Sequence, residues 1–343
     1  MSAKGCACGA IDIHCHVVPH DVPAYQGGPE PASWPSMVAA DGCKRTVIVN
    51  GKNYRTVTDA CWSVERRLED MDRMGIALQA LSPMPELFSY WMDAPAAAEL
   101  LRYINDTIAD MVEKGQGRFV GLGAVPLQDI DRAIAELRRL MGELKFAGVE
   151  IGSNVNGVPI GDPCFLPFFE EAEKLGACVF VHAVRPAGMD RLVGPAPLQQ
   201  VLAYPTDVGL AAASCITTNL LNRLPGLRIA FSHGGGTLAS LLPRLREGWK
   251  VFPVLADTLA EDPAEAVRRF WYDTLVYDEP TLRHLGEVFG TDHLMIGTDY
   301  PFNFHERAPL ARLEAAFADL SLQEKLACSN AAAFLNLPEA PHV

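Results

Sequence analysis

Short apolar runs alternate with longer amphipathic segments along the 343 residues of this chain. The eight runs span residues 10–14, 77–82, 119–125, 148–152, 178–182, 228–233, 270–275 and 293–297. Most are rich in Val, Ile, Phe and Leu, and each is too short to form a helix. Continuous apolar runs of this length are typical of parallel strands that are buried on both faces.

The segments between these runs carry the spacing of amphipathic helices. Apolar residues recur at helical spacing over residues 64–74, with charged residues between them, and Gly75 follows as a helix terminator. Residues 129–144 and 170–176 show similar patterns. About eight strand–helix units predict an α/β fold, a distorted (β/α)8 TIM barrel in which residues 1–343 form a single domain.

The competing fold, a doubly wound sheet, usually opens with a glycine-rich phosphate-binding turn after its first strand. Here His14-Cys15-His16 occupies that place, which favours the barrel. Residues 17–60 break the alternation, because they contain five prolines and then a β-like run at 45–50. We therefore expect 17–60 to be an insertion after strand 1, a small antiparallel flap at the C-terminal rim of the barrel, where active sites lie.

The charge balance limits the partners of the chain. Lys and Arg number 29 and Asp and Glu number 42, so the formal net charge is −13. Nucleic acids and anionic membrane surfaces both attract basic proteins, so neither is expected as a partner. The N-terminal residues lack the apolar core of a signal peptide, and no apolar stretch reaches the roughly 20 residues of a membrane helix. A cytoplasmic location is therefore expected.

The first apolar run leads into His14-Cys15-His16, in which the two histidines share one face of a strand. Imidazole is a natural ligand of Zn²⁺ and of other transition metals, so such a pair can bind one cation. As a single pattern the pair is weak support for a metal site.

Three further polar residues stand at the ends of later runs. His182 ends the fifth run, His233 ends the sixth and precedes three glycines, and Asp299 follows the eighth. Alone, His182 is better explained as a hydrogen-bonded core histidine. In a TIM barrel, however, the carboxyl ends of all strands open onto one rim, so these residues and the His14/His16 pair converge on one pocket. We interpret the set as a metal-dependent active site.

This set resembles the metal-dependent amidohydrolase superfamily and, within it, the family of aminocarboxymuconate semialdehyde decarboxylases and their relatives. The matching motifs extend over nearly the whole chain, at residues 11–16, 51–55, 125–129, 181–182, 232–236 and 297–302. Histidine pairs and an aspartate at strand ends are shared by the wider superfamily. The motifs at 51–55 and 297–302 are more specific to the decarboxylase branch.

The resemblance implies one divalent metal ion, usually zinc in this branch and manganese in some relatives that act on aromatic acids. The site residues it implies are the metal ligands His14, His16, His182 and Asp299 and the acid/base residue His233. The pKa of a histidine lies near neutral pH, which suits an acid/base role. Many superfamily members hold two metal ions with a lysine after the fourth strand. Here residues 148–152 contain no lysine, which favours one metal ion.

The resemblance also makes a small carboxylic acid the expected substrate. Arg55 and Arg244 match arginines that bind the substrate in the decarboxylases. The arginine that Arg244 matches reaches across a dimer interface, so the resemblance implies a homodimer. Guanidinium groups suit bidentate binding of carboxylates, although a surface ion pair is the alternative for each arginine. Phe302 matches an aromatic residue that lines the pocket, and plain core packing is an equal alternative.

One departure from the family pattern follows His182, where the decarboxylases have a proline and then a pocket tryptophan. This chain has no aromatic residue there, and Arg185 lies nearby. Arg185 is therefore either a further carboxylate-binding residue or an ordinary loop charge. The departure leaves the identity of the substrate open.

We expect a metal-dependent, non-oxidative decarboxylase of a small unsaturated or aromatic carboxylic acid, with a carboxymuconate semialdehyde from aromatic ring cleavage as the favoured substrate. The alternative is a metal-dependent hydrolase or hydratase on the same barrel, acting on a lactone, an amide or an unsaturated diacid. Measuring released CO₂ against hydrolysed or hydrated product separates the two. A third hypothesis, a non-catalytic binding protein, predicts no turnover and no need for a metal ion.

Overall fold

The computed structural model of the protein describes residues 9–337. Its strands in that range are β1 (Ala10–Val17), β2 (Ser36–Ala39), β3 (Lys44–Val49), β4 (Lys52–Thr58), β5 (Ile76–Pro83), β6 (Phe119–Gly123), β7 (Gly148–Gly152), β8 (Asn154–Val155), β9 (Val158–Pro159), β10 (Cys178–His182), β11 (Arg228–Phe231), β12 (Trp271–Asp273) and β13 (Leu294–Met295). Eight of these strands form a parallel sheet in the order β1-β5-β6-β7-β10-β11-β12-β13.

The sheet closes because the chain after β13 returns along β1. Ile13 N donates to Ile296 O at 3.0 Å, and His16 N donates to Tyr300 O at 2.7 Å. The expected (β/α)8 barrel is therefore confirmed, and each of the eight apolar runs overlaps one of its strands. β11 is shorter than its run because the backbone at His233 turns into the left-handed region, with φ of 54°.

Helices connect the barrel strands and cover the sheet. Within residues 9–337 they are α1 (Val64–Met74), α2 (Ala94–Lys114), α3 (Ile130–Gly142), α4 (Leu166–Leu175), α5 (Tyr204–Thr217), α6 (Leu220–Arg223), α7 (Ser232–Gly235), α8 (Leu238–Val251), α9 (Pro253–Thr258), α10 (Pro263–Ala266), α11 (Glu279–Phe289), α12 (Pro309–Ala316), α13 (Leu320–Glu324) and α14 (Asn330–Leu335). α1 has the predicted bounds, because Ser63 Oγ caps its start and Gly75, with φ of 72°, ends it. None of the helices in this part of the chain combines the length and hydropathy that crossing a bilayer requires.

The buried core joins the apolar faces of the helices to the barrel strands. Leu100 and Ile104 of α2 belong to the same buried cluster as Leu81 of β5 and Val149 of β7. Burial of these faces leaves the carboxyl ends of the strands, and the loops that follow them, as the place where polar side chains gather.

The segment between β1 and α1 contains a three-stranded antiparallel sheet in the order β2-β3-β4. Val47 and Val57 are buried and hold this sheet against the rest of the protein. β4 carries Tyr54 and Arg55, and the wall of the cavity at the barrel mouth includes both residues. This sheet, from Ser36 to Thr58, is called the flap below.

The pairing of β7 with β10 depends on Gly148. A Cβ added there would overlap the carbonyl oxygen of Cys178, which cannot move without separating the two strands. We expect Gly148→Ala to lower the free energy of unfolding by about 1–3 kcal/mol in urea denaturation. Gly142→Ala is the matched control, because a Cβ at that position of α3 meets no atom within 4 Å. Equal unfolding free energies for the two variants would contradict this role of Gly148.

Candidate metal centre

Four side chains with metal-binding groups meet at the carboxyl ends of the barrel strands. β1 presents His14 and His16 on one face, β10 ends with His182, and Asp299 follows β13. One ligand atom from each residue lies within 4.8 Å of the others. The structure thus brings together all four residues that the sequence predicts as metal ligands.

The donor atoms of this cluster point at one another. His14 Nε2 lies 3.2 Å from His16 Nε2, and Asp299 Oδ1 lies 3.0 Å from His16 Nε2. His182 Nε2 is buried and has no hydrogen-bond partner among the described residues. A buried polar atom without a partner is costly, and a divalent ion among these donor atoms would give each of them a partner. Three imidazoles and one carboxylate therefore fit a divalent metal ion.

Two of the histidines are oriented by backbone carbonyl groups at their other ring nitrogen. His16 Nδ1 donates to Pro83 O at 3.2 Å, and His182 Nδ1 donates to Ala183 O at 2.8 Å. Since a carbonyl oxygen only accepts, both rings carry a proton on Nδ1 and present the Nε2 lone pair to the centre of the cluster.

Asp273 at the end of β12 supports the third histidine, and it is not among the residues that the sequence predicts for the site. Its carboxylate accepts a hydrogen bond from His14 Nδ1 at 2.6 Å and further bonds from the backbone N–H groups of His233 at 3.0 Å and Gly234 at 2.7 Å. Asp273 therefore ties a ligand histidine to the turn that carries His233. The signal for it is its place as the one acidic residue in the run 270–275.

Burial and neighbouring charges shift the pKa values of the ligand histidines in different directions. Burial lowers the pKa of His182 well below its usual range, which keeps the ring in the neutral form that binds metals. Burial also disfavours the charged form of His14, but the hydrogen bond and the charge of Asp273 outweigh it and raise the pKa of His14 to about 9. A metal ion that binds His14 at neutral pH therefore displaces a proton.

His233 lies on the turn after β11 with its ring beside the cluster. The ring centroid is 4.9 Å from that of His182 and 5.4 Å from that of His14. His233 Nδ1 lies 3.2 Å from Ser232 Oγ. Burial lowers the pKa of His233 to about 4, so the ring is neutral near pH 7 and able to accept a proton.

Two further buried carboxyl groups lie under the ligands, and sequence reasoning assigns no role to either. Asp12 accepts hydrogen bonds from Thr298 Oγ1 at 2.7 Å and from Gln79 Nε2 at 3.2 Å. Glu150 on β7 has its Oε2 atom 3.8 Å from His16 Nδ1. Burial raises the pKa of Asp12 to about 6 and that of Glu150 well above its usual range. The sequence signal for both is an acidic residue inside an apolar run.

A cavity of about 280 Å³ opens over the cluster. Its wall includes Arg55, His182, His233, Asp299 and Phe302. The Arg55 guanidinium lies over the Phe302 ring, 4.1 Å from its centroid, and the same ring stacks on His16 with centroids 5.3 Å apart. The flap thus brings one predicted substrate-binding arginine into the wall beside the predicted aromatic residue.

The other two predicted substrate-binding residues lie outside this cavity wall. The Arg185 guanidinium stacks on Trp91, 3.1 Å from the ring centroid, and Arg185 Nε lies 3.6 Å from Glu86 Oε1. Arg244 is exposed on α8. Within one chain the structure therefore unites Arg55 and Phe302 with the metal centre and leaves Arg185 and Arg244 apart from it.

A family model, a known protein sequence and a solved structure each match most of this chain. The model of a family described as amidohydrolase matches residues 11–337. A 2-amino-3-carboxymuconate-6-semialdehyde decarboxylase of Dictyostelium discoideum is 36% identical over 333 residues, which cover 95% of this chain and 91% of that protein. A dihydroxybenzoic acid decarboxylase of Polaromonas sp. JS666, solved with bound manganese and an inhibitor, has a TM-score of 0.70 and 25% identity over 80% of this chain and 86% of that one.

A second solved structure agrees in fold. Apo IDCase of Metarhizium anisopliae has a TM-score of 0.82, and the match covers 97% of this chain and 98% of that one. Its identity to this chain is 20%, so the similarity concerns the barrel architecture alone.

Asp273→Asn removes the charge behind His14 and is expected to weaken Zn²⁺ binding about 10- to 100-fold, because the ligand loses its orienting partner. Competition with a chromogenic chelator measures this affinity. Asp278→Asn is the matched control: Asp278 caps α11 five residues further along, and Asn is an equally good cap. Undiminished Zn²⁺ affinity in the folded Asp273→Asn protein would contradict the role assigned to Asp273.

Proposed function

Because the chain belongs to the amidohydrolase family, we propose that it is a metal-dependent, non-oxidative decarboxylase of a small unsaturated or aromatic carboxylic acid. The observation that carries this proposal is a single cavity in which the four-residue cluster meets the neutral His233 and the cationic Arg55. The favoured substrate class is a carboxymuconate semialdehyde, because the Dictyostelium relative that carries this activity in its name matches nearly the whole chain.

The cluster is proposed to hold one divalent ion, with His14, His16, His182 and Asp299 as its ligands. Zn²⁺ is favoured because imidazole and carboxylate groups in a four-ligand set are typical of zinc. Mn²⁺ is the alternative, since the Polaromonas decarboxylase contains it. The fourth barrel strand, β7, contains no lysine, which supports a single ion. When bound, the ion supplies positive charge that stabilises the negative charge developing on the substrate.

His233 is the proposed acid/base residue. In a decarboxylation the bond between carbon and carboxylate breaks, CO₂ leaves, and the electron pair stays on the carbon, which then takes up a proton. His233 lies in the cavity wall, and its low pKa means that a proton taken up by its ring during the reaction is readily given to that carbon. The hydrogen bond from the His233 backbone to Asp273 keeps the ring beside the metal ligands.

Arg55 and Phe302 are proposed to bind the substrate. The Arg55 guanidinium is half-buried and forms no ion pair with a carboxylate in the part of the chain that the structure describes. It is therefore available for bidentate binding of a substrate carboxylate. Phe302 supports Arg55 on its face and offers an apolar surface for a conjugated substrate.

The substrate role of Arg185 stays a prediction. Its contacts with Glu86 and Trp91 support the alternative role as a loop charge, one that offsets a buried carboxylate. Burial raises the pKa of Glu86, and the neighbouring Arg185 opposes that shift.

A homodimer in which Arg244 reaches the cavity of the neighbouring subunit is part of the proposal. Arg244 is exposed on α8, and apolar side chains are exposed on α8 and on the segment through α9, namely Leu241, Val251, Phe252 and Val254. Clustered exposed apolar side chains are typical of subunit interfaces.

We also propose that residues 1–343 act as one catalytic domain, with an insertion at 17–60 that contains the flap and so carries Arg55. The partner expected in solution is a small carboxylic acid. The cytoplasmic location expected from the sequence stays a prediction.

Turnover tests the decarboxylase assignment. Zn²⁺-loaded protein is expected to release CO₂ from 2-amino-3-carboxymuconate-6-semialdehyde. The loss of substrate absorbance and the amount of trapped CO₂ measure this reaction. His233→Ala is expected to retain the metal ion and to lose about 10²- to 10⁴-fold in kcat, because the proton relay is removed. His284→Ala, exposed on α11, is the control. Hydrolysed or hydrated product without CO₂, or near-full activity in His233→Ala, would contradict the assignment.

Mixed dimers test the placement of Arg244. Arg244→Ala and His233→Ala proteins are each expected to have little activity. If Arg244 acts in the neighbouring subunit, a randomly mixed dimer holds one intact site, and the refolded mixture regains up to about a quarter of wild-type activity. A mixture no more active than its components would show that Arg244 does not complete the neighbouring site.

A further inference from the structure

A buried carboxylate on α5 takes no part in the reaction proposed above. Asp207 is 5% exposed, and its hydrogen-bond donors within residues 9–337 are all neutral: the Ser153 hydroxyl, the Asn154 amide and the backbone N–H of Ala187. Buried charges in proteins are normally paired or bound to a metal ion. The position of Asp207 therefore calls for a positive group that these three donors do not supply.

Three hydrogen bonds and one peptide group connect Asp207 to the ring of His182. The Ser153 hydroxyl donates to Asp207 Oδ2, and Val184 N donates to Ser153 Oγ at 3.3 Å. Val184 N and Ala183 O belong to the same peptide group, and Ala183 O accepts the Nδ1 proton of His182 at 2.8 Å. This series, from carboxylate through hydroxyl and peptide to imidazole, is called the His182 relay below.

Each hydrogen bond of the His182 relay has a fixed direction. A carboxylate only accepts and a backbone N–H only donates, so the Ser153 hydroxyl accepts from Val184 and gives its own proton to Asp207. Hydrogen bonds aligned in this way polarise one another, so the negative charge of Asp207 makes Ala183 O a stronger acceptor. The stronger acceptor holds the proton of His182 on Nδ1 and leaves Nε2 unprotonated.

Further contacts hold the loop after His182 in the orientation that the His182 relay needs. Ser153 N donates to His182 O at 2.8 Å. Asn154 Nδ2 donates to Val184 O at 2.8 Å and to Asp207 Oδ2 at 3.0 Å. Asp207 Oδ1 accepts from Ala187 N at 2.9 Å. The loop is thus tied to the end of β7 on one side and to α5 on the other.

The His182 relay gives His182 the kind of support that Asp273 gives His14. Asp273 accepts directly from His14 Nδ1 at 2.6 Å, whereas Asp207 acts on His182 through Ser153 and one peptide group. Partners at the second ring nitrogen of a ligand histidine fix its tautomer and raise its basicity. The positive charge that the buried Asp207 lacks would come from the ion that the cluster is proposed to hold.

We propose that Asp207 and Ser153 are positioning residues of the metal centre, which orient His182 through the peptide group between Ala183 and Val184 and keep its Nε2 atom unprotonated for the ion. The proposal rests on the proposed function for the role of His182 as a ligand. The tautomer of His182, in contrast, is a property of the metal-free protein as well.

The tautomer of His182 in the metal-free protein is the direct test. Long-range proton–nitrogen NMR spectra of protein with isotope-labelled histidine show which ring nitrogen carries the proton, and the His182→Gln protein assigns the signal. Wild-type protein near pH 7 is expected to have the proton on Nδ1. Ser153→Ala is expected to populate the form protonated on Nε2, because Val184 N loses its acceptor and the peptide group can turn. Asp207→Asn keeps the shape of the side chain and is expected to shift the tautomers in the same direction.

Zn²⁺ affinity is the second readout, measured by competition with a chromogenic chelator. Ser153→Ala is expected to bind Zn²⁺ about tenfold more weakly, because the ligand loses its orienting partners. Ser214→Ala is the matched control: the Ser214 hydroxyl also accepts from a backbone N–H, that of Gly161 at 3.0 Å, and donates to an oxygen, Ala211 O at 2.6 Å. Ser214 is not part of the His182 relay, so its variant is expected to keep the wild-type tautomer and affinity.

An unchanged His182 tautomer in folded Ser153→Ala overturns the proposal, whatever the Zn²⁺ affinity of that variant. An equal shift in Ser214→Ala overturns it too. If Ser153 and Asp207 only stabilise the loop, their variants lower the free energy of unfolding in urea and leave the tautomer unchanged, which is the same negative result. A tautomer that shifts as expected in a protein that binds no Zn²⁺ would remove the proposed metal centre and leave the His182 relay standing.

Discussion

Buried imidazole nitrogens that face one another are the constraint on which this site depends. The Nε2 atoms of His14 and His16 lie 3.2 Å apart, and that of His182 is buried without a partner in the described chain. Such an arrangement is costly unless a cation compensates it. The closure of the barrel maintains it, because Asp299 N donates to His14 O at 2.8 Å and so fixes the aspartate beside the histidines. The contacts that close the barrel therefore also place Asp299 beside the histidines of the candidate metal centre.

Asp273 links the candidate metal ligands to the proposed acid/base residue. Its one carboxylate orients His14 through Nδ1 and holds the backbone of His233 and Gly234. The proposed acid/base residue His233 thus has its position defined by the same group that supports His14, a proposed metal ligand. The flap forms one side of the cavity and contributes Arg55 and Tyr54 to its wall. The barrel contributes the candidate metal ligands and His233. Since the whole chain carries a formal charge of −13, attraction of an anionic substrate has to come from these few local groups.

The fold and the convergence of the polar residues on one rim were predictable because both follow from periodicity, whereas the ligand roles are what the family resemblance implies. Buried parallel strands appear as apolar runs, and a barrel places all their carboxyl ends on one rim, so His14, His182 and Asp299 could be grouped without coordinates. The role of Asp273 was not predicted, because a single acidic residue in a short apolar run does not reveal which residue it contacts. The Ser153–Asp207 hydrogen bond joins residues 54 positions apart beside a loop whose path no pattern encodes. The position of Arg185 likewise depends on a local left-handed backbone, with φ of 40°, that directs it to Trp91.

X-ray absorption spectroscopy at the zinc edge tests the central claim most directly. The protein loaded with one equivalent of Zn²⁺ is expected to show a four-coordinate to five-coordinate ion with three imidazole nitrogens at about 2.0–2.1 Å and carboxylate oxygen at about 2.0–2.2 Å. A sulfur ligand at about 2.3 Å, or a shell with fewer than two imidazoles, would contradict the assignment of the cluster as the metal centre.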